Sequence, residues 1–149
     1  MSVWIICDTS CLIALDRINQ LNLLQELFQQ IVITREVKEE FGKKSPEWIQ
    51  IVEVRDTVKL KELENILDKG EASTIALALE TDNCLLIIDE KKGRRFAQSL
   101  NIKIIGTLKV IQIAKQKGII KAAQPIIEAL QKAGFRFSDK IIKILLSDE

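Results

Sequence analysis

The chain contains no histidine and no tyrosine, and these two absences narrow the chemistry that it can perform. Without histidine it cannot build a Ser-His-Asp or Cys-His site, nor an imidazole zinc site. Two tryptophans and five phenylalanines are a sparse set for stacking on the bases of single-stranded nucleic acid. Carboxylates must therefore carry any acid–base or metal chemistry.

Residues that break regular structure are also scarce. Six glycines and two prolines, with 29% charged residues spread throughout, exclude a disordered, collagen-like or low-complexity protein. The longest apolar runs, at residues 3–7 and 84–88, are about five residues long, whereas a bilayer span needs roughly 20. A chain of 149 residues with 47% hydrophobic content can bury one sizeable core, so we predict one domain over residues 1–149.

The three cysteines, Cys7, Cys11 and Cys84, lie inside apolar segments and show no disulfide framework. The N-terminal sequence has no basic segment followed by an apolar stretch of signal-peptide length. Both observations favour a reducing compartment. We expect a cytoplasmic protein with no membrane partner.

Short apolar runs alternate with helical patterns, which is typical of βαβ units in a mostly parallel sheet. Strands are predicted at residues 3–7, 31–33, 51–54, 85–88 and 103–105. Helices are predicted near residues 11–18, 21–29, 35–41, 58–67, 71–81, 91–99, 107–117, 125–132 and 139–146. The predicted fold class is α/β, with a central mostly parallel sheet flanked by helices in an α/β/α sandwich.

The C-terminal part of the chain is predicted to form a helical hairpin over about residues 122–149. Pro125 suits the first helical position, Gly134 suits a C-terminal cap, and the second arm begins near Ser138. The apolar face of that arm consists of Ile141, Ile142, Leu145 and Leu146. This face favours a core or subunit contact over a membrane anchor, and we expect a homodimer.

Charge is distributed unevenly along the chain. Residues 1–90 carry 9 Lys and Arg against 17 Asp and Glu, a net charge of −8, while residues 91–149 carry 13 against 4, a net charge of +9. Such asymmetry fits an acidic site beside a basic one, and it fits equally well a set of solvated helix faces that differ in sign.

Two aspartates directly follow predicted buried strands. Asp8 follows the first strand, and Asp89 follows the strand that ends at Ile88. Ligands of parallel sheets bind beyond the carboxyl ends of the strands, so both carboxylates are expected at one shared site. The alternative is that each only caps the start of a helix, and Ser10 is a further candidate cap for the helix after Asp8.

Helix geometry selects Glu40 from the three glutamates of the segment at residues 35–41. Val37 and Phe41 define its buried face, and at about 100° per residue Glu40 lies only about 80° from the middle of that face. Glu36 lies about 120° away, and Glu39 points opposite the face. Glu40 is therefore the candidate site residue, with an ordinary solvated charge as its alternative.

Glu71 opens a helix that is apolar on nearly every side, and it shares a face with Ile75 and Ala78. A carboxylate in that position is costly unless it is paired or bound to a cation. The alternative is local, because Asp68 and Glu71 have the N-cap and N3 spacing of a capping box.

The four candidate acids are Asp8, Glu40, Glu71 and Asp89. Together they form a set of ligands made only of oxygen, which suits Mg²⁺ or Mn²⁺ and not zinc. Clustered carboxylates repel one another, and divalent cations relieve that repulsion. Such cations also activate water and stabilise the attacking and leaving oxygens of a phosphodiester displacement.

The chain resembles the PIN-domain ribonucleases nearly end to end, particularly the short prokaryotic toxins of VapC-type toxin–antitoxin pairs. The motifs that carry the resemblance are Cys7-Asp8-Thr9-Ser10, Val37-Lys38-Glu39-Glu40-Phe41, Gly70-Glu71-Ala72 and Ile88-Asp89-Glu90, the last leading into Gly93-Arg94-Arg95. A further set is similar to a subgroup of uncharacterised PIN-like proteins: Gly106-Thr107, Ala114-Lys115 and Gly118-Ile119-Ile120. One departure is Glu71, because many of these toxins carry Asp there.

The resemblance implies a metal-dependent endoribonuclease and assigns roles to the matching residues. Asp8, Glu71 and Asp89 would hold Mg²⁺ or Mn²⁺, and Glu40 would help to hold the ion or position water. The supporting residues would be Ser10 and Thr107. Glu90, beside Asp89, is an alternative ligand. The implied partners are an RNA substrate, a cognate antitoxin and a second copy of the chain.

Basic residues just after Asp89 are candidates for holding RNA phosphates, and they are Lys91, Lys92, Arg94 and Arg95. Arg94 and Arg95 point in different directions on a helix, so at most one of them is expected to face the site. The alternative for this segment is a solvated helix face.

Two other functions fit the same acids. A receiver domain also gathers acids at strand ends and uses a Thr and a Lys, for which Thr107 and Lys109 are candidates. Asp8 is not preceded by a second acid, however, and Glu71 has no role in that chemistry. The second alternative is a catalytically silent PIN-fold module that binds RNA or protein.

Overall fold

A computed structural model describes residues 3–147, whose short apolar runs form a five-stranded sheet. The strands are β1 Trp4–Cys7, β2 Ile31–Thr34, β3 Ile49–Val52, β4 Cys84–Ile87 and β5 Ile104–Ile105. Their order is β3-β2-β1-β4-β5, and every neighbouring pair is parallel. All five strands therefore end at the same edge of the sheet, which we call the carboxyl edge.

Helices connect the strands and cover both faces of the sheet. They are α1 Thr9–Arg17, α2 Asn22–Phe28, α3 Arg35–Phe41, α4 Thr57–Glu64, α5 Lys69–Leu79, α6 Lys91–Ser99, α7 Thr107–Gln116, α8 Gln124–Lys132 and α9 Asp139–Leu146. The predicted α/β/α sandwich is confirmed. Across residues 3–147, none of the helices combines the length and the apolarity that a bilayer crossing requires.

Two hydrophobic cores lie on opposite faces of the sheet because successive strand residues point to opposite sides. Cys7 and Ile87 point into one core, which we call the first core and which is shared with α1, α2, α7, α8 and α9. Ile6 and Leu86 point into the core shared with α4, α5 and α6. The two central strands, β1 and β4, are therefore buried on both faces at their carboxyl ends.

The register of β1 and β4 brings their following residues together. Trp4 pairs with Cys84 and Cys7 pairs with Ile87, so the two strands end side by side. The N–H of Asp8 then donates to the carbonyl of Ile87 at 3.0 Å. Asp8 thus leaves the sheet at its centre, next to the segment that leads to Asp89.

A pair of buried hydroxyls joins the two helices that carry the candidate glutamates. Thr34 caps α3 by accepting from the N–H of Val37 at 3.0 Å, and its Oγ1 lies 2.7 Å from Oγ of Ser73 in α5. Ser73 in turn donates to the carbonyl of Gly70 at 2.9 Å. The chain of hydrogen bonds fixes α3 against the first turn of α5, and no part of Thr34 or Ser73 is exposed.

Several element boundaries differ from the predicted ones. β3 begins and ends two residues early, because the chain turns after Glu53, where the N–H groups of Arg55 and Asp56 donate to the Glu80 carboxylate. α1 begins at Thr9, so Ser10 lies in its first turn and is not its cap. α5 begins two residues early, at Lys69, directly after its N-cap Asp68.

The predicted C-terminal hairpin segment contains α8 and α9. Pro125 lies in the first turn of α8, Gly134 follows the helix with φ of +101°, and Ser138 caps α9 by accepting from the N–H of Ile141. The four apolar residues of α9 do not share one environment: Ile142, Leu145 and Leu146 pack on the first core, whereas Ile141 is 51% exposed. The predicted limits of the hairpin and of the domain also include residues 1–2 and 148–149, which lie outside the described residues.

Candidate active site

The four candidate acids come from four different elements that meet at the carboxyl edge of the sheet. Asp8 follows β1, Asp89 lies two residues after β4, Glu40 lies in the last turn of α3, and Glu71 lies in the first turn of α5. Asp8 is near enough to Glu40 and Asp89 for their charges to raise its pKa. The structure therefore brings the predicted acids into one neighbourhood.

Asp8 is buried, with 3% of its surface exposed, and its Oδ1 has no hydrogen-bond partner among residues 3–147. Burial raises the pKa of Asp8 to about 7, and the negative charges of Asp68, Glu40 and Asp89 add to this effect. The backbone N–H of Thr9 opposes it by stabilising the charged form. Asp8 occupies the N-cap position of α1 but makes no side-chain cap hydrogen bond, and among residues 3–147 its buried Oδ1 is left without a donor.

Glu71 is also buried, with 5% exposed, and its Oε2 likewise has no hydrogen-bond partner within the described chain. The pKa of Glu71 is raised to about 8, and burial is the largest cause. A hydrogen bond with the Asp68 carboxyl and the negative charges of Asp68, Asp8 and Glu90 raise it further. Asp68 accepts from the N–H of Glu71 at 2.9 Å, as the N-cap alternative predicts. That alternative accounts for Asp68, but it leaves Glu71 Oε2 unsatisfied.

Glu40 turns toward the site although much of the residue is exposed. Oγ1 of Thr9 donates to Glu40 Oε1 at 2.5 Å, which holds the carboxylate beside the start of α1. Glu36 lies one turn earlier on α3, and its Oε1 is buried with no hydrogen-bond partner in residues 3–147. Helix-face geometry thus selected Glu40, the glutamate of α3 that is hydrogen-bonded to Thr9. It did not predict that an oxygen of Glu36 is buried.

Asp89 is held by the N-terminus of α7. Its Oδ1 accepts from the N–H of Thr107 at 2.8 Å, and its Oδ2 accepts from Oγ1 of Thr107 at 2.6 Å. Thr107 is 1% exposed, so this contact is shielded from water. Glu90 is exposed and occupies the N-cap position of α6, and its charge acts on Glu71. Thr107 therefore orients Asp89, as a supporting residue would, and makes no such contact with Glu90.

Three glycines let the carboxylates approach the backbone closely. A Cβ on Gly93 would lie 2.5 Å from Glu71 Oε2, and a Cβ on Gly106 would lie 2.9 Å from Asp89 Oδ1. A Cβ on Gly70 would overlap Oε1 of Glu40. Each of these distances is shorter than van der Waals contact allows, so any larger residue at these positions would force the neighbouring carboxylate to move.

The acids fit a divalent cation by charge and by ligand type. Three buried carboxylate oxygens have no donor within residues 3–147, and two of them, Asp8 Oδ1 and Glu71 Oε2, belong to the candidate acids. Carboxylate oxygens of this kind are ligands that Mg²⁺ and Mn²⁺ accept. Within residues 3–147, however, no three Asp, Glu, Cys or His side chains are arranged so that they could hold one ion together. Asp89 is bonded to Thr107 and Glu40 to Thr9, while Asp8 and Glu71 retain the free oxygens.

A groove of about 830 Å³ is lined by Asp89 together with residues of α1, α6, the start of α7, residues 135–138 and α9. We call it the basic groove, and its cationic residues are Arg17, Lys91, Arg94, Lys109 and Arg136. Ser10, a predicted supporting residue, lies on its wall.

The structure separates the basic residues that the sequence grouped together. Arg94 is half-buried and donates to the carbonyl of Ile88 at 2.7 Å, so it is bound to the backbone of the residue before Asp89. Lys91 also lines the basic groove, whereas Lys92 and Arg95 are exposed and do not line it. A role for Lys92, Arg94 and Arg95 in RNA binding stays a prediction.

Sequence reasoning missed three features of this region. Asp68 was considered only as a helix cap, yet its charge acts on both Asp8 and Glu71. Lys109 and Arg136 reach the basic groove from α7 and from the segment before α9. The capping-box spacing pointed to Asp68, but no local pattern connects residues 109 and 136 with the acids.

We predict that the metal-free protein loses stability as pH rises from about 4 to about 8. Asp8 and Glu71 keep their protons to about pH 7 and 8 in the folded state and lose them near their ordinary values, 3.8 and 4.5, when unfolded. The folded state therefore binds more protons across this range, and its free energy of unfolding falls by at most about 1.4 kcal/mol per pH unit for each carboxyl. Urea unfolding in EDTA at several pH values measures this slope.

The matched controls are Glu71→Gln, which removes one of the two proton sites, and Glu39→Gln, which alters an exposed glutamate of α3. The first should flatten the slope and the second should leave it unchanged. A wild-type stability that is constant or rising between pH 5 and 8 contradicts the assignment of raised pKa values.

A protein-family model described as DUF3368, a PIN domain, matches residues 4–148. No curated protein is similar enough to count as a match. PIN domains are generally nucleases and typically use divalent metal ions. Because the matched region includes all five strands, all nine described helices and the four acids, the chain belongs to the PIN-domain family.

Proposed function

We propose that this protein is a cytoplasmic endoribonuclease that hydrolyses RNA phosphodiester bonds with Mg²⁺ or Mn²⁺. The observation that carries the proposal is the pair of buried, donor-free oxygens, Asp8 Oδ1 and Glu71 Oε2, at the carboxyl edge of the sheet. Burial without donors is costly for a carboxylate, and a divalent cation removes that cost. Family membership supports nuclease chemistry in general.

In this proposal Asp8, Glu71 and Asp89 would hold the metal once their side chains shift from the arrangement described above, in which no three acids converge on one point within residues 3–147. Glu40 would help to hold it or position a water molecule. When bound, a divalent cation would activate water and stabilise the charge that develops on the attacking and leaving oxygens. Asp8 and Glu71 would have to lose their protons first, because a carboxylate must be deprotonated to act as a ligand. Thr107 orients Asp89 through two hydrogen bonds, and Thr9 orients Glu40 through one.

The strand order supports this reading over the receiver-like alternative. Receiver domains of the flavodoxin-like type have the order 2-1-3-4-5, whereas this sheet has the order 3-2-1-4-5. Thr107 also donates both its hydroxyl and its N–H to Asp89. The catalytically silent module remains the alternative that an activity measurement must separate.

We propose further that the protein acts as the toxin of a toxin–antitoxin pair, held inactive by a cognate antitoxin. The support is the resemblance of its ordered motifs to VapC-type toxins. Coexpression with the neighbouring gene product is the direct check: an antitoxin must restore growth and block cleavage, and a protein that is harmless when expressed alone contradicts a toxin role.

A homodimer is also proposed, on Ile144, an exposed apolar residue of α9 outside the basic groove. Ile144 is 60% exposed, whereas Ile142 and Leu146 pack on the chain's own core. Ile144→Asp is therefore expected to give a smaller particle in light scattering, and Lys140→Ser, on the same exposed helix, should not. A wild type that is monomeric at high concentration rules out this contact.

We predict that cleavage of single-stranded RNA requires Mg²⁺ or Mn²⁺ and the Asp8 carboxylate. Asp8→Asn should reduce the rate by more than about 100-fold, since losing even an outer-shell partner of a metal commonly costs 10–100-fold. The domain should stay folded, because Asn keeps the shape and removes a costly buried charge. Gel analysis of a labelled oligonucleotide with added metal, and with excess EDTA, measures the rate.

Glu39→Gln is the matched control and should cleave at the wild-type rate, because Glu39 is exposed and forms an ion pair with the exposed Arg35. Full cleavage in excess EDTA, or by folded Asp8→Asn, would refute the metal mechanism. A wild type that binds RNA tightly but never cleaves it favours the silent module.

A further inference from the structure

The basic groove is continuous with the candidate active site. Asp89 and Thr107 both line it, and Oγ1 of Thr107 donates to the Asp89 carboxylate. Residues 135–138 and α9 form another part of the lining, which we call the outer wall. A molecule that lies in the groove can therefore contact Asp89, one of the four candidate acids.

The charge of the groove is opposite to that of the site. Among the described residues that line it, Asp89 is the one acid, and cations line it from three helices and from the segment before α9. Lys91, Lys109 and Arg136 are exposed, so their charges are presented to solvent. The cations of the groove complement the phosphates of a polyanion, and the acids beside the groove would hold the proposed metal close to one of those phosphates.

The outer wall also offers aromatic and apolar surface. Phe135 and Phe137 are half-buried and pack on the first core, while Arg136 between them is exposed. The guanidinium of Arg17 lies 5.4 Å from the centre of the Phe135 ring, which attaches this wall to α1. Phosphate-binding cations interleaved with aromatic rings are typical of grooves for single-stranded nucleic acid.

Resting on the proposed function, we propose that the basic groove binds unpaired RNA nucleotides on one side of the scissile phosphate. Lys109 and Arg136 contact the RNA phosphates, and the bases pack on the wall that contains Phe135 and Phe137. Unpaired RNA fits because its bases present their faces to a protein, whereas a duplex hides them by stacking. The volume of about 830 Å³ is within the range of pockets that hold small organic ligands, which suits one or two nucleotides.

The test is the affinity of a labelled 12-nucleotide single-stranded RNA in excess EDTA, measured over a range of salt concentrations. The double variant Lys109→Ala with Arg136→Ala should bind at least about fivefold more weakly. Its slope of log affinity against log salt should fall by about 1.4, because each phosphate contact to a single strand contributes about 0.7. Both residues are exposed, so the variant is expected to fold.

The matched control is Lys117→Ala with Lys132→Ala, which removes the same charge from the ends of α7 and α8, outside the groove. It should change the affinity by less than about twofold. Lys92→Ala with Arg95→Ala tests the alternative path along α6. If that pair, and not Lys109 with Arg136, carries the loss and the change in slope, the groove proposal is overturned.

The apolar wall is tested with Phe137→Leu, which keeps side-chain bulk but removes the aromatic ring. It should weaken binding of the intact RNA by about threefold and leave binding of an abasic RNA of the same length unchanged. An equal loss with both RNAs, or a wild type that prefers duplex RNA, contradicts base packing on this wall.

These outcomes are distinct from those of the proposed function. Gel electrophoresis of the RNA after each titration shows whether it stays intact in EDTA, which tests the metal requirement independently of the groove. Groove variants with wild-type RNA affinity and full metal-dependent cleavage would overturn the groove proposal alone and leave the groove to another partner, such as a protein segment.

Discussion

Crowding of negative charge at the carboxyl edge of the sheet is the constraint on which the site depends. Parallel strands that end side by side bring Asp8 and Asp89 together, and α3 and α5 add Glu40 and Glu71. Glycines at 70, 93 and 106 allow three of these acids to approach the backbone more closely than any side chain would permit. The repulsion that results is the physical reason to propose a cation there.

The four acids differ in whether their carboxylate oxygens have hydrogen-bond donors. Thr9 donates to Glu40 and Thr107 donates to Asp89, so both carboxylates have fixed partners. Asp8 and Glu71 each keep a buried oxygen without a donor, and both have raised pKa values because of burial. A fold without a cationic ligand would gain by replacing these two acids, since a buried unsatisfied carboxyl lowers stability.

Much of this arrangement could be predicted from local patterns. Apolar runs located the strands, and the rule that ligands bind at strand ends located Asp8 and Asp89. Helix periodicity ranked Glu40, because the angle between positions on one helix is fixed. The predicted end of β3 was wrong because a tertiary contact, that of Glu80 with the backbone at residues 55 and 56, accompanies the turn after Glu53. The predicted cap at Ser10 was wrong because α1 begins at Thr9, directly after Asp8.

The features that escaped prediction depend on residues far apart in sequence. Arg17 meets Phe135, and Lys109 and Arg136 reach one groove, only after the helices pack. Few aromatic residues in the composition argued against base stacking, yet two of the five phenylalanines line the same groove as Asp89. The number of aromatic residues in a sequence does not show whether the fold brings them together at one site.

The central claim is that Asp8 and Glu71 bind a divalent cation, and anomalous scattering from crystals soaked in Mn²⁺ tests it most directly. We expect one strong peak within bonding distance of both Asp8 and Glu71 carboxylates, which disappears in crystals of Glu71→Gln. Well-ordered crystals that show no peak there at millimolar Mn²⁺, or a peak held only by other residues, would contradict the account.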